Sequence, residues 1–239
     1  MSTNHHITLD MDWCSDDALE YVSSLLLQAG KKATWFATHR SPRVDMLCRE
    51  PGFEIGVHPN FFDGSSHGAS ISSVLEHMTG LFPEARAMRT HGLYQSTPIL
   101  HQAVSDFAIE IDVSLFLPYH SELKPLAPMS FGKEAIKRLP YFWEDDTEML
   151  NDYSGFDFTD KRHHCDGLKI YDFHPVHVAL NTTSFDDYLR LKDKKPASEW
   201  DTAFILKHQK KGKGPLTFFE DMLSKVEGEL TISQIAEGE

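Results

Sequence analysis

Six apolar segments rich in β-branched and aromatic residues alternate along the first three quarters of the chain with segments of helical periodicity. The first, His6–Asp10, is a predicted strand, and a helix follows with Asp16, Asp17 and Glu20 in its first turns and Gly30 at its end. "KATWFATH" (32–39) and "FEIGVH" (53–58) are predicted strands, separated by a short helix around Val44–Cys48 that Pro51-Gly52 stops. A polar loop, "PNFFDGSSHG", leads into a helix in "ASISSVLEHMTGLF". "ARAMRTH" is a fourth strand, "STPILHQAVSDF" a helix and "AIEIDVSL" a fifth strand. Residues 118–162, with several prolines and aromatics, predict loops with short strands, and "GLKIYDFHPVHV" (167–178) predicts a later strand. "SFDDYLRLKD" and "LTFFEDMLSKV" have helical patterns, with a basic turn between them at 207–215.

Alternation of strands with helices predicts parallel strands joined by helical crossovers, an α/β architecture. The 239 residues suit a single domain spanning 1–239, as in one α/β barrel. In such folds the chemistry gathers at the C-terminal ends of the strands. Those ends collect an unusual set: Asp10 and Asp12 after the first strand, His58 and then His67 after the third, Arg89 and His91 after the fourth, His174 and His177 after the last. Side chains two apart on a strand share a face, so Asp10 and Asp12 are expected side by side. A divalent cation would offset their repulsion. One carboxylate with two imidazoles can hold such an ion with positions left open, and the second carboxylate can take a proton from water. Without the cation, at least one of the pair is expected to have a raised pKa.

The competing readings are structural. Asp12 would cap a helix while Asp10 faced solvent, and His58 and His67 would be loop histidines. His77 is read as a helix-face residue, and His5, His6, His163 and His164 as surface residues. Trp13, Phe142, Trp143 and Tyr94 could stack on a ligand, with packing in the core as the alternative for each. A net charge of −13 excludes a general binder of nucleic-acid backbone. Three cysteines without CxxC spacing argue against a disulfide framework or a cysteine-rich zinc site. The opening "MSTNHHITLD" has no basic-then-apolar leader pattern, and no apolar run approaches the ~18 residues of a membrane helix. The expectation is a cytoplasmic protein without stable membrane insertion; its oligomeric state is not readable.

The ordered set of segments resembles the polysaccharide deacetylases, the NodB-like carbohydrate esterases. "TLDMDW" looks like a D-x-D version of their first motif, "EIGVH" their second, "MRTHG" their third, and "IYDFHPVH" the last apolar strand ending in histidine. "FAIEIDVSLF", "RLPYFWEDD" and the closing "GELTISQIAE" resemble further family segments, so the likeness covers nearly the whole chain. It implies a deformed (β/α) barrel, often of seven strands. It implies one divalent metal, zinc first, with manganese, cobalt, nickel or iron(II) as other candidates. By similarity Asp10 would be the general base, Arg89 would orient it, and Asp12, His58 and a second histidine would hold the metal. His174 would be the general acid, with His177 as its competitor or neighbour. The family's second histidine usually lies four or five residues after the first. Here that count reaches Phe62 or Asp63, so His67 is the expected ligand and Asp63 its substitute. Tyr94, Trp143 and His177 are the expected substrate contacts.

The implied function is metal-dependent removal of an N- or O-acetyl group from a sugar, such as a nucleotide- or lipid-linked precursor of surface polysaccharide. The alternatives are a non-catalytic carbohydrate-binding relative with a degraded metal site, and a non-haem iron oxygenase, which the alternation of strands and helices disfavours.

Overall fold

The computed structural model describes residues 5–151 and 155–238; residues 1–4, 152–154 and 239 of the expected domain lie outside the described residues. The chain begins β1 (His5–Asp10), α1 (Asp16–Gln28), β2 (Ala33–Ala37), α2 (Pro42–Leu47), β3 (Phe53–Val57), α3 (Ile71–Leu81), β4 (Ala87–Met88), α4 (Thr97–Phe107) and β5 (Ile111–Asp112). It continues with β6 (Met129–Phe131), β7 (Glu134–Arg138), β8 (Trp143–Glu144), α5 (Asp145–Asn151), β9 (Lys169–Phe173) and α6 (Pro175–Leu180). Four helices follow: α7 (Phe185–Lys194), α8 (Thr202–His208), α9 (Pro215–Lys225) and α10 (Ile232–Glu237). Serine side chains cap α1, α2, α3 and α7 by accepting from backbone N–H groups in the first turn. The cap of α1 is Ser15, so Asp12 is free of that role.

The strands form one sheet in the order β6-β7-β5-β4-β3-β2-β1-β9-β8, parallel throughout except for the β6–β7 hairpin. β7 and β8 lie on one extended stretch whose start pairs with β5 and whose end pairs with β9. A parallel bridge between Phe116 and Tyr141 marks the crossover. Seven strand positions therefore run in one direction around a barrel whose ladder does not close continuously, the deformed barrel expected from the sequence. β1, β2 and β9 are buried along their whole length, as parallel strands covered on both faces must be.

Three sequence expectations need correction. The last strand ends at Phe173, because Pro175 occupies the first turn of α6, where a missing N–H costs nothing. His177 is therefore on a helix. Trp143 is 1% exposed and stacks on Phe218 with ring centroids 4.5 Å apart, so it packs the core and cannot meet a substrate. Phe142 is likewise buried. His5, His6 and His163 are buried, not surface residues: His5 and His163 pack with Phe158 and Tyr171, and His6 Nδ1 accepts from the Leu230 N–H at 2.9 Å.

Burial holds His6 down to about 4, with His5 adding repulsion, and burial holds His163 down to about 3. The unfolded chain takes up protons on these rings below the ordinary histidine value of about 6.5, while the folded chain resists. Stability is therefore lost as pH falls from about 6.5 towards 4, by roughly 2–3 kcal/mol for each ring. Urea unfolding between pH 7 and 4.5 should show this loss, and His6→Gln should flatten it. An unchanged pH slope in His6→Gln would contradict the assignment.

Candidate metal centre and active site

The site is organised around Arg89, which leaves the end of β4 and is fully buried. Its Nη1 donates to Asp10 Oδ1 at 3.0 Å and to Asp172 Oδ1. Its Nη2 donates to Thr8 Oγ1 at 2.9 Å and its Nε to the Val113 carbonyl at 3.2 Å. Phe36 and Tyr141 cover it, with ring centroids 4.6 and 4.5 Å from the guanidinium carbon. Strand alternation explains the convergence: Thr8 and Asp10 share a face of β1, and Thr8 pairs with Asp172 of β9 while Asp10 pairs with Phe36 of β2. Gly56 of β3 makes room for the Phe36 ring, because a Cβ there would lie 2.7 Å from it.

Asp12 reaches the site by a different route from the one expected. β1 ends at Asp10, and Asp12 and Trp13 take left-handed conformations (φ 42° and 52°). Two consecutive non-glycine residues in that region cost of order 1–3 kcal/mol each. Hydrogen bonds from Met11 N–H to the Phe36 carbonyl and from Trp13 N–H to Thr38 Oγ1 hold the turn. It aims the Asp12 carboxylate at two imidazoles: Oδ1 is 3.2 Å from His58 Nε2 and 3.0 Å from His91 Nδ1. The two ring nitrogens are 3.3 Å apart. A metal bound at about 2.0–2.1 Å needs neighbouring ligand atoms roughly 3.0–3.4 Å apart, so this donor set fits a divalent cation. His91 is placed by its own N–H, which donates to the Pro59 carbonyl beside His58.

His67 does not join this group. Its Nδ1 accepts from Asn60 N–H at 3.1 Å and its Nε2 lies 2.9 Å from the Thr38 carbonyl, so both ring nitrogens are engaged. Burial then holds it down to about 4, as a neutral ring. Asp63 faces a neighbouring cavity instead. Two other Asp/His groups lie close enough to share an ion, Asp146–His174–His177 and Asp10–Asp172–His174. In the former, Asp145 already occupies His174 Nδ1; in the latter, Arg89 already supplies the cation.

His174 caps α6 directly after β9. Its backbone N–H donates to Asp145 Oδ2 at 2.8 Å, and its Nδ1 lies 2.7 Å from Asp145 Oδ1. Burial opposes its charge, but Asp146 and Asp145 outweigh burial and hold it well above the ordinary histidine range. Its Nε2 points towards Asp12, 3.7 Å from Oδ2. His177 sits behind it, 2.8 Å from Asp146 and packed on Tyr188, and does not line the open side of the site. Burial also opposes the charge of Asp12, yet hydrogen bonds from His58 and His91 hold it well below the carboxylate range. The raised carboxylate is Asp172, pushed up by burial and by Asp10, because one guanidinium cannot neutralise two buried carboxylates.

A family model for WbmS-like polysaccharide deacetylases matches residues 7–192. The chain belongs to that family. Among solved structures, the chain is similar to WbmS of Bordetella bronchiseptica, described as a polysaccharide deacetylase involved in O-antigen biosynthesis. The two share 31% identity at a TM-score of 0.83, over 93% of this chain and 90% of that one. A 4-alpha-glucanotransferase from Thermococcus litoralis shares the fold alone, at 10% identity and a TM-score of 0.53, over 98% of this chain and 38% of that one. No curated protein matches the chain.

Sequence reasoning placed Asp10, Asp12, His58, Arg89 and His174 at strand ends, and the structure brings all five together. It missed Asp145, Asp146 and Asp172, and passed over His91. The signal for His91 was its position two residues after Arg89, in the turn that follows β4, the strand paired with the one that His58 directly follows.

Replacing Arg89 by Met leaves Asp10 and Asp172 buried without their cation and should lower the unfolding free energy by about 3–5 kcal/mol. Arg89→Lys should recover little of this, because an ammonium cannot reproduce the planar fork to Thr8, Asp10 and Asp172. Urea denaturation at pH 7 reads both; a loss below about 1 kcal/mol in Arg89→Met would contradict the role given to it.

Proposed function

We propose that the chain is a metal-dependent deacetylase acting on an acetylated sugar, with 1–239 as one catalytic domain. The observation that carries this reading is the convergence of Asp12, His58 and His91 ligand atoms within 3.3 Å of one another, with Asp10 on one side and His174 on the other. The role of WbmS in O-antigen biosynthesis supports a precursor or portion of surface polysaccharide as substrate.

A divalent cation held by Asp12, His58 and His91, with zinc as the first candidate, would supply Lewis acidity towards the acyl carbonyl and lower the pKa of water. Asp10 is the general base. Its Oδ1 is tied to Arg89, and its Oδ2 lies 3.5 Å from His58 Nε2, next to the place where water would attack. Arg89 is a positioning residue: it fixes the Asp10 carboxylate without touching the substrate. His174, held protonated by Asp145 and Asp146, donates its Nε2 proton to the leaving nitrogen or oxygen. His177 supports Asp146 from behind. Tyr94 and Trp13 border the open side, where Trp13 packs against the His91 ring with centroids 5.3 Å apart.

The test is acetate release from N-acetylated sugars beside release from an activated acetyl ester, whose leaving group needs no proton. Asp10→Asn should slow both by about 10²–10⁴-fold. His174→Gln should slow amide cleavage by a similar factor, about 10²-fold or more, while largely sparing the ester. Chelation should abolish activity and a divalent cation restore it. Equal slowing of amide and ester in His174→Gln would remove His174 as the acid, and full activity of Asp10→Asn would remove the base.

A further inference from the structure

The basic residues of this acidic chain are unevenly placed. Residues 190–213 hold eight Lys and Arg against three Asp and Glu, a net charge of +5, which leaves −18 on the rest of the chain. The segment spans the end of α7, all of α8 and the turn before α9. Its parts form one face. Lys210 in the turn lies 3.4 Å from Asp187 of α7. Lys195, at the end of α7, lies 3.9 Å from Asp201 at the start of α8, with its ammonium 5.4 Å from the Phe204 ring centroid. The His208 ring packs on Phe204 with centroids 4.5 Å apart. Burial, and then the charges of Lys207, Lys194 and Lys210, hold His208 below the ordinary histidine value, so lysines from α7, α8 and the turn converge on it. Four of the eight cations are paired: Arg190 and Lys210 with Asp187, Lys195 with Asp201, and Lys213 with Asp157. Lys192, Lys194, Lys207 and Lys211 are exposed and have no ion-pair partner among the described residues. Lysines in the last turns of α7 and α8 suit the negative ends of those helices, but Lys210, Lys211 and Lys213 lie beyond the end of α8. Leu189 and Leu206, on the same two helices, are 41% and 57% exposed.

We propose that this face docks the protein reversibly on an anionic phospholipid surface. The inference goes beyond the deacetylase reading and uses none of its residues. Four observations carry it. A surface cluster of this many cations is the electrostatic footprint of anionic headgroups. Seven of the eight are lysine, a residue depleted at protein–protein interfaces, where arginine and aromatics are enriched. Its compact, hydrated ammonium suits a headgroup layer of no fixed geometry better than a partner with matched hydrogen bonds. Leu189 and Leu206 add apolar side chains that can enter the headgroup boundary beside the lysines. The −18 on the remainder is repelled by the same surface, so this face alone turns towards it. Among the described residues no helix is long and apolar enough to cross a membrane, so the attachment is peripheral. Tyr188 of α7 packs on His177 with ring centroids 4.6 Å apart, which joins the docking face to the wall of the candidate site.

The experiment measures co-sedimentation of the full chain with vesicles of phosphatidylcholine alone and of phosphatidylcholine containing about 30% phosphatidylglycerol. Binding to the anionic vesicles should be at least about tenfold stronger than to the neutral ones. It should fall by about tenfold or more when NaCl rises from about 0.1 M to about 0.5 M, where the charges are screened. The triple variant Lys194→Gln/Lys207→Gln/Lys211→Gln should bind the anionic vesicles about 100-fold more weakly, at roughly fivefold for each lysine. A control triple variant, Arg49→Gln/Lys124→Gln/Lys133→Gln, removes the same charge at exposed positions outside the segment and should change binding by less than about threefold. Unchanged unfolding midpoints show that both variants are folded. Overturning results are no binding to anionic vesicles, equal binding to both vesicle types, or an equal loss in the two triple variants. Tighter binding of polyglutamate or of a short DNA duplex than of anionic vesicles, lost in the first variant, would make the face a surface for acidic protein or nucleic acid and would also overturn the proposal.

Discussion

A single buried guanidinium holds the centre of this barrel together. Arg89 touches β1, the segment after β5, and β9 at once, through Asp10 and Thr8, the Val113 carbonyl and Asp172. Removing a charge from water this completely is tolerated only when its donors are matched and counter-charges sit close. The aromatic faces of Phe36 and Tyr141 close the remaining sides, and Gly56 exists as glycine so that Phe36 can lie there. The functional consequence is that Asp10 is fixed before any substrate arrives. In its proposed role as base it need not be reoriented during reaction.

Around that anchor the acids divide their work by environment. Asp10 faces a guanidinium and Asp12 faces two imidazoles, while Asp172, second at the same guanidinium, is driven towards its neutral form. Asp145 fixes the His174 ring as Arg89 fixes the Asp10 carboxylate, and Asp146 and Asp145 together hold that imidazole well above the ordinary histidine range. The proposed base and acid thus stand on opposite sides of the three-residue cluster, each supported from behind. The left-handed turn at Asp12 and Trp13 is the strained joint that makes this possible, because it detaches Asp12 from the strand that carries Asp10.

Much of this was legible in the sequence, because strand periodicity and the strand-end rule act locally. The first five strands and β9, and the placement of Asp10, His58, Arg89 and His174 at strand ends, follow from patterns a few residues long. What was not legible depends on contacts between distant segments. The expectation of His67 came from counting along one loop, whereas the cluster is completed across two neighbouring strands by His91. Asp145 lies in a region without clear periodicity and acts through a histidine 29 positions away. Trp143 looked available for a sugar because nothing local reveals that Phe218 stacks on it. His5, His6 and His163 looked like surface residues because burial of an imidazole depends on the packing of α9 and β9, not on its own neighbours.

The central claim is that Asp12, His58 and His91 form one metal site from which His67 is excluded. The most direct measurement is anomalous X-ray scattering from crystals soaked with a divalent zinc salt. The account predicts one strong peak within bonding distance of Asp12 Oδ1, His58 Nε2 and His91 Nδ1, with His67 still bonded to the Thr38 carbonyl. A peak bonded to His67, or one centred between Asp146, His174 and His177 with none at Asp12, would contradict it.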